Sequence, residues 1–283
     1  MSASGQPLAW FAGRWGTAEE LSLPLQDRGL RLADGLFETM LVEAGQPLLL
    51  REHLERWRQS AELLAMAAPP EASWLQPLLD AAIARAGLAT DGCGALRLNW
   101  SRGDGAGRGI DLPPPGSEQA SGAAGHRFWL QLTPCTPAFS PQTVWISRRE
   151  RRNATSVLSR CKTFAYGQAI QARREAHQAG AEEALLLSGD GQLCCGAVAN
   201  VLVQRRGRWL TPATASGCLP GVLRGRALAL GLAEETRLQP VPEPGDRWLL
   251  INSLGCRPIA SVDGHELDHH SAAEAEGLWR QLL

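Results

Sequence analysis

Apolar residues recur at helical spacing over 51–67, REHLERWRQSAELLAMA, where Leu54, Trp57, Ala61 and Leu64 share one face. Arg56 sits at the edge of that stripe, where a solvated helix charge is the ordinary reading. A second helix is expected over 74–86, with Ser73 as N-cap, Pro77 in the first turn and Gly87 ending it. Strict alternation in ALRLNWS predicts a strand over 95–101. Further strands are predicted over 37–42, 126–132, 144–147, 183–187 and 247–252. Gly45-Gln46 turns the first of these back into 47–50 as a hairpin. Asp27-Arg28-Gly29 and Asp34-Gly35 read as turns, and so does 252–255, Asn-Ser-Leu-Gly. Helices are expected over 166–179, from 221 to about 233, and from about 271 to the end. Strands and helices intermixed in this way predict an α/β chain. Three prolines between 133 and 141 mark a boundary, giving domains 1–133 and 141–283 joined by a linker, 134–140.

Composition changes this picture little. The chain is 44% hydrophobic and 20% charged with a net charge of −1, so no global field draws it to nucleic acid or membrane. Arg148, Arg149, Arg151 and Arg152 form a short basic run without interleaved aromatics, read as a solvated edge. No apolar run is of bilayer length, and MSASGQPLAWFAG lacks a basic segment leading an apolar one, so a cytoplasmic protein is expected. Seven cysteines include no C-x-x-C pair, which suits reduced thiols; Cys194 and Cys195 are adjacent. The histidines have no metal-ligand spacing, and no metal is expected.

Charge type is more telling than charge balance. Of 28 basic residues a single one, Lys162, is lysine, and the other 27 (28 − 1) are arginine. A guanidinium stays protonated, whereas a lysine amine can lose its proton and attack a carbonyl. Tyr166, the single tyrosine, follows four residues later, and on a helix the two would share a face. The count leaves a functional amine and the chance survival of one codon equally open. Two further stretches suit an anion. The Gly-rich loop 102–109 carries Arg102 and Arg108, and Pro220-Gly221 opens a helix whose first amides lack partners.

Taken together, these stretches resemble the class IV pyridoxal-phosphate enzymes of fold type IV. That family holds branched-chain and D-amino-acid aminotransferases and aminodeoxychorismate lyases. The resemblance runs from Asp27 to Asn252. It rests on Asp27-Arg28-Gly29 and Asp34-Gly35-Leu36-Phe37-Glu38-Thr39, Arg51-Glu52-His53-Leu54-Glu55-Arg56, Lys162, Ala199-Asn200 with Thr211-Pro212, and Gly221-Val222-Leu223-Arg224. It implies two α/β domains with the cofactor between them, pyridoxal phosphate as cofactor, a small-molecule substrate and a homodimer. It makes Lys162 the Schiff-base lysine, and Arg56 with Gly221, Val222 and Leu223 the phosphate holders. Tyr166, Cys195 and Asn200 become cofactor contacts, while Arg108 and Arg102 become carboxylate-binding candidates. Arg108 falls where a D-amino-acid aminotransferase arginine reaches the substrate across the dimer.

Ser101-Arg102-Gly103 with Gly107-Arg108-Gly109 is most similar to the lyases, which make 4-aminobenzoate and pyruvate from 4-amino-4-deoxychorismate on the way to folate. The alternatives are an aminotransferase acting on D- or branched-chain amino acids and a catalytically weakened homologue. Three departures from the family pattern stand out. Cys195, five before Asn200, replaces the glutamate beside the cofactor's ring nitrogen. Leu223 replaces a common threonine, and Ala165 an asparagine.

Overall fold

Period-two alternation builds the first sheet. The structure is a computed structural model and describes residues 5–90, 92–104, 109–112 and 125–283; the candidate Arg108 lies outside the described residues. The chain forms two compact units. The first takes Met1–Thr136 with Cys161–Ala165, and the second takes Pro137–Arg160 with Tyr166–Leu283.

In the first unit, β1 (Leu8–Phe11), β2 (Arg14–Gly16), β3 (Gly35–Glu43), β4 (Gln46–Pro47), β5 (Cys93–Ser101) and β6 (Arg127–Pro134) form one antiparallel sheet, ordered β2-β1-β6-β5-β3-β4. Leu36, Met40 and Val42 of β3 alternate onto one face. There they meet Trp57 and Ala61 of α2 (Leu50–Leu63) and Leu75, Leu79 and Ile83 of α3 (Ala72–Arg85). Full burial of each large apolar side chain contributes about 1.5–3 kcal/mol.

Three local readings change. The Asp27–Asp34 stretch, read as turns, holds the short helix α1 (Arg28–Leu32), because the Asp27 side chain accepts from Leu30 N and caps it. Helix α2 stops four residues early, at Leu63. Ala65 turns left-handed at φ 48°, and Arg102 donates to the Leu64 and Ala65 carbonyls at the helix end. Helix α3 begins at Ala72 with Glu71 as N-cap in place of Ser73, so Pro77 falls in the second turn and forgoes a bond to the Ser73 carbonyl.

The second unit contains β7 (Gln142–Arg152), α4 (Gly167–Gln178), β8 (Glu183–Ser188), β9 (Leu193–Gly196), β10 (Asn200–Arg205), β11 (Arg208–Pro212), α5 (Val222–Ala229), β12 (Ala233–Thr236), β13 (Arg247–Asn252), β14 (Gly255–Val262), β15 (His265–Glu266) and α6 (Ala272–Gln281). Strand β9 pairs both β8 and β10, which closes β10-β13-β14-β7-β8-β9 into a ring. The ring's core gathers Val144, Leu185, Val201, Trp248, Leu250 and Ile259. Strand β14 was hidden in the sequence, where Pro258 interrupts its apolar run. No disulfide joins any of the seven cysteines, all of which lie among the described residues. No helix among the described residues is long and apolar enough to cross a membrane.

Candidate functional site

The first unit buries a small ionic cluster that sequence reasoning passed over. Glu38 shares the core-facing side of β3 with Leu36 and Met40, at 1% exposure. A lone carboxylate there would be costly, and two side chains of α2 offset that cost. His53 and Arg56 stand three residues apart on one helical face. Arg56 donates from Nε to Glu38 Oε1 at 2.8 Å and from Nη2 to Oε2 at 2.5 Å. His53 Nδ1 meets Oε2 at 2.7 Å. Burial pushes the Glu38 carboxyl up, but the Arg56 charge and the His53 hydrogen bond outweigh it and hold it at about 2. Burial lowers His53 below its ordinary 6.5, and the charges of Arg56 and Lys162 lower it further against the pull of Glu38. His53 is therefore neutral, with its Nδ1 proton donated to the carboxylate. The available signal was a charge at a core position of β3 opposite a His-x-x-Arg helix.

Lys162 lies on a short extended segment beside the start of β3. Phe37 N donates to the Lys162 carbonyl at 2.9 Å, Phe164 N donates to Gly35 O at 3.0 Å, and Leu36 bridges Thr163. A methyl at Gly35 would sit 2.2 Å from Phe164 Cε2, so only glycine admits the segment this close. Lys162 Nζ is 4.5 Å from the centroid of Phe37, and the Arg97 guanidinium is 3.5 Å from the same centroid. Arg97 also donates from Nε to Asn99 Oδ1 at 2.8 Å. Lys162 and Tyr166 do not share a helical face. The stretch between them is irregular, and Tyr166 is the N-cap residue of α4, in the second unit.

Arg102, a carboxylate-binding candidate by resemblance, serves as a brace in the fold. Its Nε donates to both Asp34 oxygens, at 3.1 and 2.9 Å, its Nη1 to Ala65 O at 2.9 Å and its Nη2 to Leu64 O at 2.8 Å. With all three nitrogens engaged and the side chain 10% exposed, it ties the end of α2 to the turn before β3.

In the second unit the five-residue step from Cys195 to Asn200 becomes a hairpin. The two are direct cross-strand partners, and Gly196 N closes the turn on Ala199 O at 2.8 Å. A hydrogen bond to Cys194 and burial push the Cys195 thiol well above its ordinary 9.0, so it keeps its proton at neutral pH. Asn200 Nδ2 donates to Leu219 O at 2.9 Å. A methyl on Gly221 would lie 2.0 Å from Asn200 Oδ1. Asn200 thus fixes the approach to α5 and demands glycine at its N-cap. Gly221 has no side chain to cap the helix, so the first amides of α5, those of Val222 and Leu223, receive no N-cap bond. Arg224 points into the protein, to Pro212 O at 2.8 Å and to Glu235.

A family model for class IV amino-transferases matches residues 35–262. The chain is 25% identical over 275 residues to a putative branched-chain-amino-acid aminotransferase of Methanocaldococcus jannaschii, covering 94% of this chain and 91% of that protein. It is 26% identical over 264 residues to an aminodeoxychorismate lyase of Bacillus subtilis, covering 90% and 87%. A fold IV transaminase from Curtobacterium pusillum superposes with a TM-score of 0.80 at 24% identity, covering 98% of this chain and 99% of that one. The chain belongs to the class IV amino-transferases, pyridoxal-phosphate enzymes of fold type IV.

Proposed function

We propose that the protein is a pyridoxal-phosphate lyase that splits 4-amino-4-deoxychorismate into 4-aminobenzoate and pyruvate. The observation that carries this reading is the buried thiol of Cys195, whose pKa the Cys194 hydrogen bond and burial raise well above 9.0. A carboxylate at that position would hold a proton on the cofactor's ring nitrogen. Cys195 offers no negative charge, which favours a reaction whose driving force lies in the substrate: loss of pyruvate leaves an aromatic ring.

The donor set fits the cofactor. The uncapped amides of Val222 and Leu223, beside a glycine that a methyl could not replace, suit a phosphate, as does the guanidinium of Arg56. Bound, pyridoxal phosphate supplies an electrophilic carbonyl and a conjugated ring that accepts electrons. Lys162 Nζ is the amine for that carbonyl, and it moves the proton, first as base and then as acid. Arg56, Val222 and Leu223 would hold the phosphate, and Asn200 would act through the loop it braces at Leu219. Tyr166 would donate a hydrogen bond from its hydroxyl to the phenolic oxygen. The substrate's two carboxylates go to Arg108 and to Arg97, whose guanidinium shares the Phe37 ring with Lys162.

The second reading, an aminotransferase for D- or branched-chain amino acids, is favoured by the Methanocaldococcus relative and by the shared fold. Supplying the chorismate derivative, and D-alanine or leucine each with 2-oxoglutarate as amino acceptor, to the holoenzyme separates the two. The lyase reading expects 4-aminobenzoate and pyruvate in equal amounts and loss of both in Lys162→Ala. Oxo-acid formation from an amino acid, without 4-aminobenzoate, would support the second reading. Turnover of none of the three would favour a weakened homologue. The working form is a cytoplasmic homodimer, expected to sediment at twice 30.4 kDa; a monomer at micromolar concentration would contradict it.

A further inference from the structure

We propose that Glu38 is a positioning residue for the cofactor phosphate, acting through Arg56; the inference rests on the reading in which Arg56 holds that phosphate. Glu38 occupies a core position of β3 that every neighbour on its face fills with an apolar side chain, Leu36, Met40 and Val42. An apolar residue would serve packing there, and a buried ion pair adds little to stability over a hydrophobic replacement. The geometry of the pair is suited to aiming. Glu38 takes the Nε–Nη2 edge of Arg56 with both oxygens, at 2.8 and 2.5 Å. A guanidinium gripped along one edge has its plane fixed, and with it the direction in which Nη1 points. The carboxylate is itself fixed, since His53 Nδ1 meets Oε2 at 2.7 Å and β3 holds the backbone. The flexible arginine of a helix is thereby aimed by a rigid strand.

The charge of Glu38 sets up a decisive contrast. Glu38 cancels the charge of Arg56, so on electrostatics alone Glu38→Gln would tighten phosphate binding. A positioning role predicts the opposite sign. Cofactor-free full-length protein is titrated with pyridoxal phosphate and with pyridoxal, which lacks the phosphate, and the visible band of the bound form gives each affinity. Glu38→Gln is expected to weaken pyridoxal phosphate by about tenfold, the size typical of a partner that orients a ligand, and to leave pyridoxal unchanged. In an Arg56→Ala background Glu38→Gln is expected to add nothing further. Equal or tighter binding of pyridoxal phosphate by Glu38→Gln overturns the proposal, as does an equal loss for both ligands, which marks a merely structural role. If Glu38→Gln does not fold, Glu38→Asp keeps the charge but draws it back by one methylene. It is expected to show the same selective loss, and wild-type preference for the phosphate would overturn the proposal. Loss of that preference in Arg56→Ala but not in Glu38→Gln would refute Glu38 alone. Its retention in Arg56→Ala would refute the reading of Arg56.

Discussion

Glu38 carries a charge into the apolar face of a sheet, and a response to acid follows from it. Its carboxyl is held at about 2, below the 4.5 of an unfolded chain, so its contribution is complete above pH 4.5 and is lost as the pH falls toward 2. That contribution is on the order of 3 kcal/mol. His53 is lowered from 6.5, so below pH 6.5 the unfolded chain binds a proton that the folded one refuses, and stability falls there first. Thermal midpoints from pH 8 to pH 4 should decline from about 6.5 downward and more steeply below about 4.5. In His53→Gln the upper part of the decline should shrink; an unchanged profile would remove His53 from the account. Cys195 makes a chemical prediction at the same scale. Cys195→Ser keeps a neutral group and should retain the lyase rate within about tenfold, or 1.4 kcal/mol of barrier. With 2-oxoglutarate as amino acceptor, Cys195→Glu should raise conversion of D-alanine to pyruvate by at least about tenfold. If neither reaction responds to Cys195→Glu, residue 195 does not govern the ring.

At the scale of elements, two close approaches shape the candidate residues: the Lys162 segment against Gly35, and Asn200 against Gly221. Gly221→Ala drives a methyl to 2.0 Å from Asn200 Oδ1, a clash expected to cost about 1–3 kcal/mol. Adding Asn200→Ala should recover most of the thermal midpoint while cofactor affinity stays low, because the loop before α5 has lost its brace. Full recovery of affinity in the double variant would show that Asn200 does nothing for the loop. These elements also mark how far the sequence could be read. Lys162 stood out by count, and the Cys195–Asn200 spacing and the Gly221 helix start were visible as short-range patterns. Glu38 with His53 was not, because its meaning depends on α2 lying over β3, a contact made only on folding. Arg102 meets a similar limit: beside glycines it resembles an anion hook, and only the fold reveals the carbonyls of Leu64 and Ala65 that it satisfies.

For the molecule as a whole, alternating strands and periodic helices made the mixed class legible. The closed ring of the second unit was not, since it depends on β9 pairing two strands distant in sequence order and on β14, which Pro258 disguises. Family membership fixes the cofactor and leaves lyase and aminotransferase open; the proposed elimination rests on the neutral thiol at 195. The most direct measurement mixes holoenzyme with 4-amino-4-deoxychorismate and follows 4-aminobenzoate and pyruvate together. Equal amounts of both, dependent on Lys162, are expected. Oxo acid released from D-alanine or leucine, with no 4-aminobenzoate from the chorismate derivative, would contradict it.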